Sequence, residues 1–123
     1  PETVRTVVFC SGKVYYDLIQ AREVQGLAQE VAVVRVEQLY PFPDQDVRAT
    51  LGRFKKAKDI VWCQEEPKNM GAWVYAMPRM MEILKRGMKL RYAGRQASAS
   101  PASGQMKIHQ VEQDNLVKLA LGV

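Results

Sequence analysis

Residues 64–71, Gln64-Glu65-Glu66-Pro67-Lys68-Asn69-Met70-Gly71, place two adjacent carboxylates between a glutamine and an asparagine, directly after the apolar run Val61-Trp62-Cys63. Pro67 fixes one backbone dihedral and Gly71 frees another, so the polar side chains between them are held on a shaped loop. Adjacent carboxylates can push one pKa upward and so set up an acid/base pair. Consecutive residues seldom converge on one substrate, however, and salt bridging or helix capping is the favoured reading of Glu65 and Glu66. Ser11-Gly12-Lys13, at a strand-to-helix turn, could hold an anion against free helix N–H groups. It lacks the longer glycine spacing of a phosphate-binding loop, so a tight turn is the plainer account. His109, the single histidine, has no carboxylate or nucleophile near it in sequence, which favours a polar surface or helix-start role over general-base work. The stretch Ala97-Ser98-Ala99-Ser100-Pro101-Ala102-Ser103-Gly104 offers serines without a nucleophile elbow. Its small side chains suit close packing of another chain or domain.

These residues need elements to position them, and the hydrophobic pattern supplies four strand-then-helix units. Residues 4–10 read as a strand ending in Ser11-Gly12, and a helix follows from about Lys13, with Val14, Leu18 and Ala21 on one face. Val31-Ala32-Val33-Val34-Arg35-Val36 is almost continuously apolar, as expected of a parallel strand covered on both faces, which predicts that Val33 and Val34 are almost wholly buried. Pro41 and Pro43 interrupt regular structure before a helix with Asp44 as its N-cap and Val47, Leu51 and Phe54 at helical spacing. A third strand spans residues 59–63. The next helix starts near Ala72, with Trp73, Ala76, Met77, Met80 and Leu84 on one face; the row of Met77, Met80 and Met81 with Trp73 reads as core packing. Pro78 either kinks that helix or opens a second one. Residues 89–93 form a fourth strand, a small-residue loop covers residues 94–104, and a last helix runs from about Met106 to Leu121. The order βαβαβαβα predicts an α/β protein: a three-layer α/β/α sandwich on a mostly parallel four-stranded sheet.

All four candidate stretches, at Ser11-Gly12, Glu37-Gln38, Gln64-Glu65-Glu66 and Gly94-Arg95, begin where a strand ends. In a parallel sheet those ends share one rim, where ligands and partners usually meet the protein. The rim is therefore the predicted functional edge, and polar groups on the loop at residues 64–71 are expected to be largely exposed.

The totals set the bounds. A chain of 123 residues with 47% hydrophobic and 25% charged residues is one domain with a proper core, short for a complete cofactor enzyme. No apolar run approaches the roughly 18 residues of a membrane span. The net charge of +5 invites a nucleic-acid reading, but the basic residues are scattered, with Lys55, Lys56 and Lys58 the only dense cluster, and no basic stripe is interleaved with aromatics. No nucleic acid and no membrane are expected as partners. Cys10 and Cys63 each end a predicted strand, which favours small core residues over a disulfide or metal site and implies a reducing compartment. Pro1 as first residue suggests a fragment.

Four blocks carry a resemblance: Cys10-Ser11-Gly12-Lys13-Val14-Tyr15-Tyr16-Asp17-Leu18, Glu37-Gln38-Leu39-Tyr40-Pro41-Phe42-Pro43, the loop at residues 64–71, and Tyr92-Ala93-Gly94-Arg95 with residues 98–104. In family order and over most of the chain, they resemble the C-terminal, transketolase-like domain of the thiamine-diphosphate-dependent decarboxylase component of 2-oxoglutarate dehydrogenase. The resemblance implies strand order 2-1-3-4, with an antiparallel edge strand contributed from upstream. It implies no catalytic residue, cofactor or metal in this domain, because thiamine diphosphate and magnesium are held by earlier domains; the chain alone is expected to be inert. It implies a docking rim of Gln64, Glu65, Glu66, Asn69, Gly71, Gly94, Arg95, Ser98 and Ser100 facing the preceding catalytic domains and a homodimer partner, in an enzyme that also meets the lipoyl acyltransferase component. Ser11, Gly12, Lys13 and Gln38 are the candidates for an anion or effector site. Some actinobacterial relatives are thought to hold acetyl-CoA with a glutamine like Gln38 and arginines after the Pro-x-Pro turn; Asp44, Gln45 and Asp46 stand there instead, and carboxylates repel phosphates. The likeness to bacterial members implies the cytoplasm, with the mitochondrial matrix as the alternative. Two rival readings are a stand-alone flavodoxin-like nucleotide- or anion-binding module and the same domain from an enzyme for another 2-oxo acid.

Overall fold

The computed structural model describes residues 2–95 and 106–123, the side chains of residues 106–109 excepted. Four strands, β1 (Thr6–Cys10), β2 (Val31–Arg35), β3 (Asp59–Pro67) and β4 (Lys89–Arg95), alternate with helices α1 (Val14–Val24), α2 (Asp44–Arg53), α3 (Trp73–Ile83) and α4 (Met106–Leu121). The strands form one parallel sheet in the order β2-β1-β3-β4, the order expected.

Alternation along β1 and β3 sorts their side chains into two layers. Val7, Phe9, Ile60 and Trp62 face α2 and α3, where Val47, Leu51, Ala76, Met80 and Ile83 are buried. Val8, Cys10, Val61 and Cys63 face α1 and α4, against Val14, Leu18, Leu116, Val117 and Leu121. The chain leaves β1 over one face toward β2 and leaves β3 over the other face toward β4. The sheet therefore has its topological switch point between β1 and β3, where a cleft opens at the strands' carboxyl ends. Cys10 and Cys63 are register partners across these two strands, both free and fully buried.

Several expectations need correction. β3 does not stop at Cys63 but continues to Pro67, with a break in register against β4 between those two residues. Asp44 does not cap α2: it is the first helical residue, Pro43 holds the cap position, and no side chain bonds there. Val33 and Val34 are only partly buried, because β2 is an edge strand with a neighbour on one side alone. Met77 and Met81 are exposed rather than packed in the core, which takes only Met80 of that row, with Trp73 partly buried against it. Pro78 lies inside one continuous helix.

Candidate functional site

The rim cleft of about 360 Å³ is lined by Ser11, Gly12 and Lys13 from the end of β1 and by Glu65, Glu66, Pro67 and Met70 from the end of β3, with Arg95 closing it. Sequence reasoning had placed these residues in separate blocks, and parallel register brings them to one crevice. Gln38 lies outside it, lining a second surface groove of about 480 Å³ between the end of β2 and α2. Its side-chain amide donates to the Tyr40 carbonyl at 3.1 Å. Ser98, Ser100 and the rest of residues 96–105 lie outside the described residues, as does the side chain of His109.

The cleft's shape depends on Gln64. This side chain is 3% exposed, contrary to the expectation of an exposed polar loop. Its Oε1 accepts from the Trp62 indole N–H at 2.9 Å and from the Trp73 backbone N–H at 2.9 Å. Its Nε2 lies 3.1, 3.0 and 2.8 Å from the carbonyls of Glu66, Pro67 and Met70 and donates among them. Helix N-termini leave N–H groups without partners inside the helix, and Ala72, at the cap position of α3, has no side chain to offer one. Gln64 caps that helix from the neighbouring strand and gathers in the turn that leads to it.

Two glycines are required by close approach. Gly71 has φ +67°, and a Cβ there would lie 3.0 Å from Glu66 Cβ. At Gly94 a Cβ would come within 2.5 Å of the Tyr92 hydroxyl and 2.7 Å of the Gln64 carbonyl oxygen, closer than side chains tolerate. The Tyr92 hydroxyl sits 2.6 Å from the Arg95 carbonyl and 3.2 Å from that of Glu66, tying β4 to the cleft wall. Burial is the first cause that pushes its pKa up to about 12. Cys10 is likewise raised to about 12 by burial, and Cys63 is raised further, burial again leading. Both thiols therefore stay protonated near neutrality, which removes them as nucleophiles.

Arg95 is a strut. Its Nε donates to Glu112 at 2.8 Å, its Nη1 to the Glu65 carbonyl, and its Nη2 to Gln113 Oε1 at 3.3 Å. Buried Gln113 in turn donates to Asp17 at 2.8 Å, so β3, β4, α4 and α1 are joined beneath the rim. Sequence reasoning missed Asp17, Glu112 and Gln113; their helical positions carry no local signal, since their partners lie up to 96 residues away. It also missed the opposite sheet edge. There Arg91 grips Asp59 at 2.7 and 3.0 Å and donates to the Leu119 and Ala120 carbonyls of α4 at 2.7 and 3.2 Å, a cation at a helix C-terminus.

The cleft does not fit thiamine diphosphate. Glu65 and Glu66 stand among its few cations, where they would repel a diphosphate, and Arg95 is engaged with Glu112, Gln113 and the Glu65 carbonyl. No group of three or more acidic, histidine or cysteine side chains is placed to hold a metal among the described residues. No helix among them is long and apolar enough to cross a membrane.

Comparison with known proteins gives a family match over residues 1–121, to the model described as 2-oxoglutarate dehydrogenase C-terminal. The chain is 49% identical over 121 residues to the 2-oxoglutarate dehydrogenase E1 component of Haemophilus influenzae, covering 98% of this chain and 13% of that protein. It is 50% identical over 117 residues to the E1 component of Cupriavidus necator, covering 95% and 12%. To the oxoglutarate dehydrogenase of Buchnera aphidicola it is 42% identical over 120 residues, covering 98% and 13%. The chain thus spans about an eighth of the length of these relatives.

Proposed function

The chain belongs to the 2-oxoglutarate dehydrogenase C-terminal family, and on that premise we propose that it serves as the assembly domain of a 2-oxoglutarate dehydrogenase decarboxylase component. In that parent enzyme 2-oxoglutarate is decarboxylated with thiamine diphosphate and the succinyl group passes to a lipoyl acyltransferase partner. The part assigned to this domain is architectural: its rim seats on the preceding catalytic domains and supports the homodimer, in the bacterial cytoplasm. The observation that carries this reading is Gln64, whose amide is saturated by groups of the chain itself. Such an amide has nothing left for a substrate, but it holds Glu66, Lys68 and Asn69 outward on a turn ordered before any partner arrives. Pre-ordering lowers the entropy cost of docking. Arg95 serves in the same way, bracing the wall behind Glu65.

Glu65→Ala with Glu66→Ala tests the assignment. In the 123-residue chain the pair is expected to shift stability by no more than about 1 kcal/mol, as surface changes usually do. In the intact parent it is expected to weaken dimer or domain contacts in sedimentation, with turnover falling only as assembly falls. A normal dimer with collapsed turnover would move both carboxylates from architecture to chemistry. The anion-binding alternative rests on Ser11-Gly12-Lys13 lying at the switch point; tight nucleotide binding by the isolated chain in a magnesium titration would favour it instead.

A further inference from the structure

The two flanks of α3 are unlike. On one, Tyr75 packs against Tyr40 and Phe42 of the segment leading into α2, with ring centroids 4.3 and 6.3 Å apart. The other carries Val74, Met77 and Met81, exposed by 61, 37 and 55%. These three positions recur at spacings of three and four residues, the repeat with which one helix receives another. The stripe runs into Trp73, whose ring stands 5.2 Å from that of Tyr92 on β4, an edge strand of the sheet. Trp73 and Tyr92, both half-buried, thus lie between the helix flank and the sheet edge.

We infer that this flank receives an amphipathic helix with acidic sides, contributed by the preceding part of the parent polypeptide. The inference rests on the assembly role proposed above and extends it from the rim to the side of the domain. Charge selects the occupant: Lys68 stands 5.5 Å from the Tyr92 ring, exposed Lys85 and Arg86 follow the end of α3 and Lys89 opens β4. Glu82, by contrast, lies on the Tyr75 flank and Glu66 in the rim cleft. A second copy of this chain, at net charge +5, would bring like charge to that border. The parent polypeptide has ample chain to supply the helix, since relatives are about eight times as long.

Methionine oxidation by peroxide, read by peptide mass in the isolated chain and in the intact parent, tests this directly. Thioether oxidation follows exposure, so Met77 and Met81 are expected to react readily in the isolated chain and about tenfold more slowly in the parent. Met80, fully buried, is the internal control and stays slow in both. Equal rates for Met77 and Met81 in the two samples overturn the inference. Met70 lines the rim cleft, so protection of Met70 alone leaves rim docking standing and refutes only the flank. Protection of none of the three counts against both. Protection that grows with concentration in the isolated chain assigns the stripe to a second copy and also refutes it. A carbodiimide link from Lys85 to an acidic residue of the preceding chain is the expected cross-link; a link to this domain of another subunit would overturn the proposal.

Discussion

Gln64→Met keeps the side chain's length and removes every hydrogen bond it makes. In the wild-type fold the indole N–H of Trp62, a fully buried residue, has Gln64 Oε1 as its acceptor, and the Trp73 N–H shares that oxygen. The variant leaves both donors unpaired and removes one donor from the turn carbonyls of Glu66, Pro67 and Met70, of which the first two keep the Tyr92 hydroxyl and the Met70 N–H. A buried donor or acceptor left unsatisfied costs about 1–3 kcal/mol. The indole carries that cost in full, whereas the helix N–H and the carbonyls, nearer the surface, recover part of it from water. The expected loss is therefore about 3–5 kcal/mol, a large share of the roughly 5–15 kcal/mol by which domains are stable. Urea unfolding followed by tryptophan fluorescence measures it as a lowered midpoint. Trp62→Phe provides the second leg of a double-mutant cycle: without the indole N–H, Gln64→Met is expected to cost less than it does in the wild type. A loss below about 1 kcal/mol, the scale of ordinary surface changes, would refute the argument that Gln64 holds the rim.

Val61→Asp, at a fully buried position of a central strand, is expected to abolish folding, because an unpaired buried carboxylate costs several kcal/mol. Val33→Asp, on the edge strand β2, is expected to leave a folded chain of lower melting temperature, and circular dichroism melts distinguish the two. Cys10 and Cys63 should resist a thiol reagent in the native chain and react fully in urea, since burial raises both thiol pKa values; rapid native labelling of either would contradict their placement. Tyr92 rises from 10.0 unfolded to about 12 folded, so the stability it contributes is whole below pH 10 and is lost as pH climbs toward 12. Urea midpoints across that window should fall more steeply for wild type than for Tyr92→Phe, and equal slopes would remove Tyr92 as the cause.

Much of this protein was legible in its residue order, because hydrophobic period is a local property. The alternation and apolar runs around Val7, Val61 and Leu90 marked strands, Val14, Leu18, Val47 and Leu51 marked helix faces, and parallel topology gathered the strand ends onto one rim. Strand order came with the family resemblance, since periodicity says nothing about neighbours. What depended on distance along the chain was hidden. Gln64-Glu65-Glu66 reads as polar loop, yet β3 runs on through it, because the Trp62 indole, the start of α3 and three turn carbonyls all come to Gln64 only once the fold is closed. Val33 has the composition of a covered strand, but β2 has no neighbour on its outer side, and only the sheet decides that. The methionines of α3 divide in the same way: one sequence pattern fits core and surface alike, and the position of the helix over β3 and β4 sends Met80 inward and leaves Met77 and Met81 outside. Arg95 looked like a rim cation until α4 brought Glu112 and Gln113 beneath it. Period and turn chemistry act over a few residues and can be read along the chain; burial of a polar group depends on partners that only the closed fold supplies.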